Sequence, residues 1–386
     1  MESVKPEVLV WARTSAHLDE AEAARRAGVP EAQLAKWEQG EQSPTVIQLR
    51  KLAQAYDRSL GALFMPQPPD RDQPVTIPDF RRQEVNGKES ATLRRAILAA
   101  NQRLAAIDEV VSEGFDLPFK FERFSLNFGD TGEIAGAKLR EELRLGELSR
   151  RSNTPEELVR ALIDSLASRG HLAMQVQKVA YGEFRGLSLR GDNAAVILLN
   201  GSDFARGKVF TLLHELVHIS IRSNALCDLS RRQQANEERF CDDVASAALM
   251  PETFVRERFE RFGPVSYEAL REFGDTFGPG PSAESVLLRL VKLKLETWDT
   301  YNDMRPIFQQ AYEDHRRETG PSKGEKSPPI YYPLKVRDLG RPFIEMMTRA
   351  HEDGLVSSRD LTNLLDISYS NLGKLRNQAR HGKTTV

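Results

Sequence analysis

The chain has 386 residues, with 54 lysines and arginines against 56 aspartates and glutamates and a net charge of -2. That length suits two or three domains and a core large enough to hold a buried metal site, and the near-balance of charge excludes a chain-wide field drawing it to nucleic acid or an anionic membrane. Two cysteines, Cys227 and Cys241, exclude a disulfide framework and fit a reducing compartment. The N-terminus lacks the apolar run of a secretory signal, and apolar stretches such as Ala194 to Leu199 fall far short of the roughly 20 residues that cross a bilayer. A cytoplasmic protein with no membrane partner is expected.

From Glu7 to Phe64 the pattern predicts short helices joined by marked turns. Asp19 can cap a helix through Ala21, Ala24 and Ala27, Gly28 ends it, and Pro30 suits the start of the next, which buries Trp37. Gly40 to Pro44 turn the chain before Ile47, Leu49, Leu52 and Ala53, and Met65 to Asp70 is a stiff polar connector. Glu89 to Glu113 predicts a long helix with Leu93, Ile97, Ala100, Leu104 and Ile107 on one side, followed by helices at Ile134 to Leu145 and Pro155 to Ser168. The period then changes. Leu172 to Val176, Phe184 to Leu189 and Ala194 to Leu199 are short, β-prone and separated by glycine turns. Helices are expected at Ala205 to Ile219 and Asn236 to Met250, the latter closed by Pro251, and at Ser285 to Thr297. Arg316 to Pro329 is charged and rich in glycine and proline, an exposed linker, and three helices follow at Arg341 to Ala350, Ser358 to Leu365 and Tyr369 to Ala379. They form an independent bundle or a cap docked on the main domain. The expected fold class is α+β: a mainly helical domain with a small sheet, flanked by an N-terminal helix-turn-helix and a C-terminal helical module. The expected divisions are 1–66, a linker at 67–87, the main domain at 88–315, a linker at 316–329 and the C-terminal module at 330–386.

His214-Glu215-Leu216-Val217-His218 falls on the helix after the sheet. Residues four apart share a helix face, so two imidazoles can meet one ion while Glu215 points beside them. A hydrolytic zinc site needs a third protein ligand and an open position. The next helix offers Glu238, with Asp242 one turn on to accept from the other ring nitrogen of a ligating histidine. Glu237 is the main alternative as ligand; Cys241 and Asp243 are weaker, on the expectation that they sit on other faces or on the packing side. In this constellation Glu215 would act as general base and then as general acid. His171, Tyr181 and Tyr267 are all open as oxyanion donors, though for each a structural or surface role is the ordinary expectation.

The run Phe210 to His218, preceded by Val196 to Asn200 and followed by Glu238 to Asp242 and Ala248 to Pro251, closely resembles the ImmA/IrrE family of metallo-endopeptidases. The resemblance extends over about Glu89 to Pro251, more loosely to Thr297, and implies a Zn2+ cofactor held by His214, His218 and Glu238, with Glu215 as catalytic base. Such proteins cleave a repressor or antitoxin in phage, mobile-element, toxin-antitoxin or stress circuits. Leu18 to Phe64 is similar to the XRE class of helix-turn-helix, through Ala24, Gly28-Val29, Leu34, Trp37-Glu38, Gly40 and Pro44. There Gln33 and Lys36 could meet a DNA groove, with Arg25 and Arg26 near the backbone. Yet Pro30-Glu31 opens the second helix, and Met1 to Asp72 carries nine basic and eleven acidic residues where a DNA reader usually shows a basic stripe. Double-stranded DNA and a protein partner, including a second copy of the chain in a homodimer, are both open for this module. The leading expectation is a zinc endopeptidase acting on a partner regulator such as a repressor, antitoxin or toxin encoded nearby. The alternative is a non-catalytic regulator or antitoxin that keeps the zinc fold as a scaffold.

Overall fold

Polar residues start most helices. In a computed structural model that describes residues 4–16, 18–56, 58, 60–65, 67–68, 90–124, 126–180, 182–221, 231–319 and 331–381, side chains such as Asp19, Thr45, Ser90, Thr154 and Ser357 accept from backbone N–H groups in the first turn that follows them. The chain divides into two units, Met1–Pro78 and Asp79–Val386.

The first unit holds α1 (Pro6–Ser15), α2 (Glu20–Ala27), α3 (Glu31–Glu38), α4 (Val46–Ala55) and a 3-10 turn at Leu60–Phe64. Its core gathers Leu9, Leu34, Trp37, Leu49 and Leu52, all buried. Gly28 closes α2 in the left-handed region, at φ 63° and ψ 43°, where a β-carbon would be strained. Arg13 fixes α1 against α3, donating from Nε to Glu38 at 2.8 Å and from Nη1 to the Leu18 carbonyl at 3.0 Å.

The second unit runs α5 (Ala91–Ser112), α6 (Gly132–Glu142), α7 (Leu145–Arg151), α8 (Pro155–Ala167), β1 (His171–Val176), β2 (Gly186–Arg190), β3 (Ala195–Asn200), α9 (Ala205–Ile221), α10 (Arg231–Leu249) and α11 (Glu252–Phe259). It continues with α12 (Tyr267–Asp275), α13 (Ala283–Lys292), α14 (Trp298–Thr319), α15 (Tyr331–Leu339), α16 (Arg341–Glu352), α17 (Ser358–Leu365) and α18 (Tyr369–His381). The sheet order is β1-β3-β2, with β3 parallel to β1 and antiparallel to β2. Central β3 is buried along its whole length, which is why it reads as an unbroken apolar run rather than an alternating one. Ala195, Ile197 and Leu199 join the core formed with α8 and α9, while α5 also packs on β3.

The α+β class and both flanking helical regions are as expected; the details differ. Helices α7, α11, α12, α14 and α15 had no counterpart in the sequence reading, and the helix expected to reach Thr297 stops at Lys292, just before Lys294 turns to φ 60°. Residues 316–319 of the expected second linker are the end of α14; the rest of that linker that precedes 330, and residues 69–87 of the first, lie outside the described residues, as do Tyr181 and Cys227. The last helices pack on the sheet unit: α15 lies against β1, Gln177 donates to Asp338 at 2.9 Å, and Arg103 of α5 donates to the Leu364 carbonyl at 3.0 Å. Among the described residues no helix is long and apolar enough to cross a membrane.

Candidate metal centre

Helix α9 is buried nearly all round because the sheet, α8 and α10 surround it. Leu212, Leu213, Leu216 and Val217 anchor it in the core and leave His214, Glu215 and His218 also buried, at 0%, 5% and 4% exposure. Three polar side chains at that depth need partners.

Helix α10 supplies them for the two histidines, and its position is set by a close crossing with α6. A β-carbon on Gly136 would stand 2.6 Å from Ala247 Cβ and 3.0 Å from the Val244 carbonyl, so only glycine lets the two backbones approach this far. Arg140 donates to the Ala248 carbonyl at 2.7 Å and Arg289 to that of Met250 at 3.0 Å, satisfying acceptors at the end of α10.

From α10, Asp242 Oδ1 lies 2.9 Å from His214 Nδ1, and Glu237 Oε1 lies 2.9 Å from His218 Nδ1. Each carboxylate calls for a proton on the Nδ1 it faces, which assigns bare Nε2 atoms to the neutral imidazoles. Those two Nε2 atoms are 3.0 Å apart, and the Glu238 carboxylate faces both, at 3.2 Å from His214 and 2.9 Å from His218. Two imidazole lone pairs and a carboxylate at such separations repel one another unless a cation or a shared proton lies among them. Donors bound at about 2.0–2.2 Å to one tetrahedral ion stand roughly 3.3 Å apart, so the set fits a zinc-sized cation with little adjustment.

The electrostatics agree. Burial works against a charged His218, but Cys241, Glu237 and Glu238 outweigh it and raise its pKa well above the ordinary value. Burial likewise pushes the Glu238 carboxyl up, yet the hydrogen bonds to His214 and His218 prevail and hold it below the usual carboxylate range. The pocket therefore favours an anionic carboxylate facing positive charge.

Cys241 requires a correction. Three residues on from Glu238, it shares that residue's face instead of pointing elsewhere, and His214, His218 and Cys241 have ligating atoms all within 4.8 Å of one another. Burial pushes its thiol up to about 11, with His218 offsetting part of the effect. Glu237, weighed as an alternative ligand, instead faces His218's other ring nitrogen. Asp243 pairs with Lys292 away from the cluster, at 2.5 Å. Glu215 lies against the first residue of edge strand β2: a β-carbon on Gly186 would overlap Thr211 Cγ2 and come within 3.2 Å of Glu215 Oε1. Among the described residues the Glu215 carboxylate has no hydrogen-bond or ion-pair partner.

Residues 169–278 match the family model of the IrrE N-terminal-like domain, and residues 9–63 match that of a helix-turn-helix. The chain joins an N-terminal helix-turn-helix to an IrrE/ImmA-like peptidase domain. No curated protein matches it. The IrrE-like match spans β1 to α12 and so contains the whole histidine and carboxylate cluster.

Other candidates lie apart from it. His171 is buried between Phe121 and Phe124, with Nε2 2.8 Å from the Glu122 carbonyl, and Tyr267 packs on Phe308. In the helix-turn-helix, Glu22 pairs with both Arg25 and Arg26, and Gln33 donates to Gln42 at 2.7 Å. Lys36 is exposed on α3.

Proposed function

We propose that the chain is a zinc-dependent endopeptidase that cuts a partner regulatory protein such as a repressor or an antitoxin. The observation that carries this reading is the convergence of His214 Nε2, His218 Nε2 and the Glu238 carboxylate within 2.9–3.2 Å of one another. His214, His218 and Glu238 would hold the ion, with Cys241 the other donor in reach. When bound, zinc supplies a Lewis acid that acidifies water and polarises a peptide carbonyl. Asp242 and Glu237 fix the tautomers of the two histidines and keep their Nε2 atoms turned inward. Glu215, beside this triad and against β2, takes the proton of the attacking water and returns it to the leaving amine. Surrounding apolar side chains keep the α9 face dry, which strengthens each of these interactions.

The test of the ligand set is metal analysis. Wild type carries about one zinc per chain, as a single three-ligand site requires, and His218→Ala and Glu238→Ala lose most of it. Full zinc in Glu238→Ala together with loss in Cys241→Ala would move the third ligand to the thiol. The helix-turn-helix favours one other reading, a DNA- or antitoxin-binding regulator that retains the zinc fold as a scaffold. The two part at Glu215→Gln, which changes the first and leaves the second intact.

A further inference from the structure

The three helices at the C-terminal end repeat the geometry of the first three. Shifting the numbering by 338 superimposes the backbone hydrogen bonds of the turn between the second and third helices of each set, with Gly28 onto Asp366 and Pro30 onto Ser368. In the N-terminal module Gly28 N donates to Arg25 O at 3.2 Å, Val29 N to Ala24 O at 3.0 Å and Gln33 N to Pro30 O at 3.0 Å. In the C-terminal one Asp366 N donates to Asn363 O at 3.1 Å, Ile367 N to Thr362 O at 3.0 Å and Asn371 N to Ser368 O at 3.0 Å. Helices α2 and α17 are both eight residues long and both end on a left-handed residue, Gly28 at φ 63° and Asp366 at φ 48°. Each is capped at the matching position, by Asp19 and by Ser357. Even the tie across the preceding turn is kept: Arg13 Nη1 donates to the Leu18 carbonyl at 3.0 Å, and His351 Nδ1 sits 2.6 Å from that of Val356.

Packing follows the same register. Leu9, Ala12, Leu18, Ala27 and Trp37 are buried in the first module, and Met347, Ala350, Val356, Leu365 and Leu375 are buried at the matching positions of the second. A non-glycine residue in the left-handed region is uncommon, though aspartate tolerates it better than most, and its presence at Asp366 marks a turn that the surrounding packing demands. Residues 9–63 match a helix-turn-helix model, so α16 to α18 have the arrangement of a second one.

Charge separates the two. Helix α3 carries Glu31 and Glu38 against Lys36, whereas Ile367 to His381 contains three lysines and arginines and no acidic residue. Leu375 and Ala379 turn inward, while Tyr369, Ser370, Lys374, Asn377 and Arg380 are exposed at positions that share one face of α18. Asp366, the nearest acid before this face, is paired with Lys335 at 2.6 Å, and Arg376 is paired with Glu352. Among the described residues Lys374 and Arg380 have no ion-pair partner. Cations for phosphate and guanine, amide and hydroxyl groups for base edges, and an aromatic ring form the side-chain set that suits a second helix lying in the major groove.

We propose that α16, α17 and α18 form a second helix-turn-helix and that α18 is the element of this chain that enters the major groove of double-stranded DNA. The N-terminal module, with nine basic and eleven acidic residues over Met1 to Asp72, then serves contacts other than the principal one to DNA.

The test is fluorescence anisotropy of the full chain with a labelled mixed-sequence duplex over a range of salt concentrations. Wild type binds at low salt. Lys374→Ala with Arg380→Ala weakens binding about tenfold or more and lowers the slope of log affinity against log salt by about 2, one unit for each phosphate contact removed. Gln33→Ala with Lys36→Ala leaves both unchanged. Both α18 side chains are exposed, so circular dichroism remains that of wild type, and Lys374→Arg with Arg380→Lys restores most of the affinity. Duplex binding that survives the α18 substitutions, or that is lost with the α3 pair instead, overturns the proposal. So does failure of wild type to bind duplex at low salt, and so does an α18 face whose substitution disrupts only association with a protein partner. Zinc content and proteolysis are read separately and are unaffected by any of these outcomes.

Discussion

Replacing Glu237 with alanine probes the site where its arrangement was least expected. The carboxylate does not face the triad, but it accepts from His218 Nδ1 at 2.9 Å in a place where both side chains are nearly inaccessible, at 7% and 5% exposure. Without it a buried N–H has no partner, which costs about 1–3 kcal/mol, and the ring is free to turn its Nε2 away from the triad. Loss of such a supporting hydrogen bond weakens metal binding by about 10- to 100-fold, or about 1.4–2.7 kcal/mol, so the two estimates agree. Competition with a chromophoric zinc chelator reads the affinity directly. Glu237→Ala should fall in that range, Glu237→Gln should lose less because its amide oxygen still accepts, and Glu238→Ala should lose more than either. If Glu237→Ala held zinc as tightly as wild type, the tautomer argument and the inward-facing Nε2 pair would both be wrong.

Other substitutions test the frame around the site. Gly136→Ala forces apart α6 and α10 at the 2.6 Å approach to Ala247 and should cost about 1–3 kcal/mol in urea unfolding; an unchanged midpoint would refute the close-crossing account. His171 is kept neutral by burial, which pushes its pKa down from 6.5 to about 4, although the Glu122 carbonyl pulls the other way. As pH falls the unfolded chain takes up that proton first, so this contribution is complete above about pH 6.5 and is lost toward pH 4, by about 3 kcal/mol in all. His171→Leu should flatten the fall in unfolding free energy between pH 7 and pH 4.5, and an equally steep fall in the variant would exclude the histidine as its source. Arg13→Ala leaves a Glu38 side chain of 5% exposure without its cation and should destabilise the N-terminal unit by about 3–5 kcal/mol, seen as early loss of Trp37 fluorescence on heating; retention of the wild-type transition would contradict the pairing.

Periodicity exposed the parts of this fold where one face is buried. Helix α5 and the α9 pair His214 and His218 follow from spacing alone, and the three strands follow from short β-prone runs between glycines. Short helices such as α7 and α11 carry too few turns for a period to emerge. Pro306 stands inside α14 and reads as a break, although the helix continues through it. Around the cluster, helix geometry alone misses the role of Glu237: adjacent residues point about 100° apart, yet Glu237 and Glu238 both reach His218 because they face opposite nitrogens of one ring. Cys241 was placed on the wrong face in the sequence reading, although its spacing of three from Glu238 is the signal that puts it on the same one. The C-terminal repeat was hidden because most matched positions keep only burial, as in Trp37 and Leu375, while the backbone turn tolerates both Gly28 and Asp366.

The central claim is that Glu215 moves protons at a metal that other residues hold. Its most direct test is co-expression of the chain, as wild type and as Glu215→Gln, with each candidate regulator encoded by a neighbouring gene, followed by mass measurement of that regulator. Wild type should yield discrete fragments, and Glu215→Gln, with zinc content unchanged, should cut roughly 100- to 10,000-fold more slowly, the share that one proton-transferring group supplies. Fragments produced equally by both forms would contradict the role of Glu215, and a regulator bound by both but cut by neither would replace the peptidase with a zinc-containing scaffold.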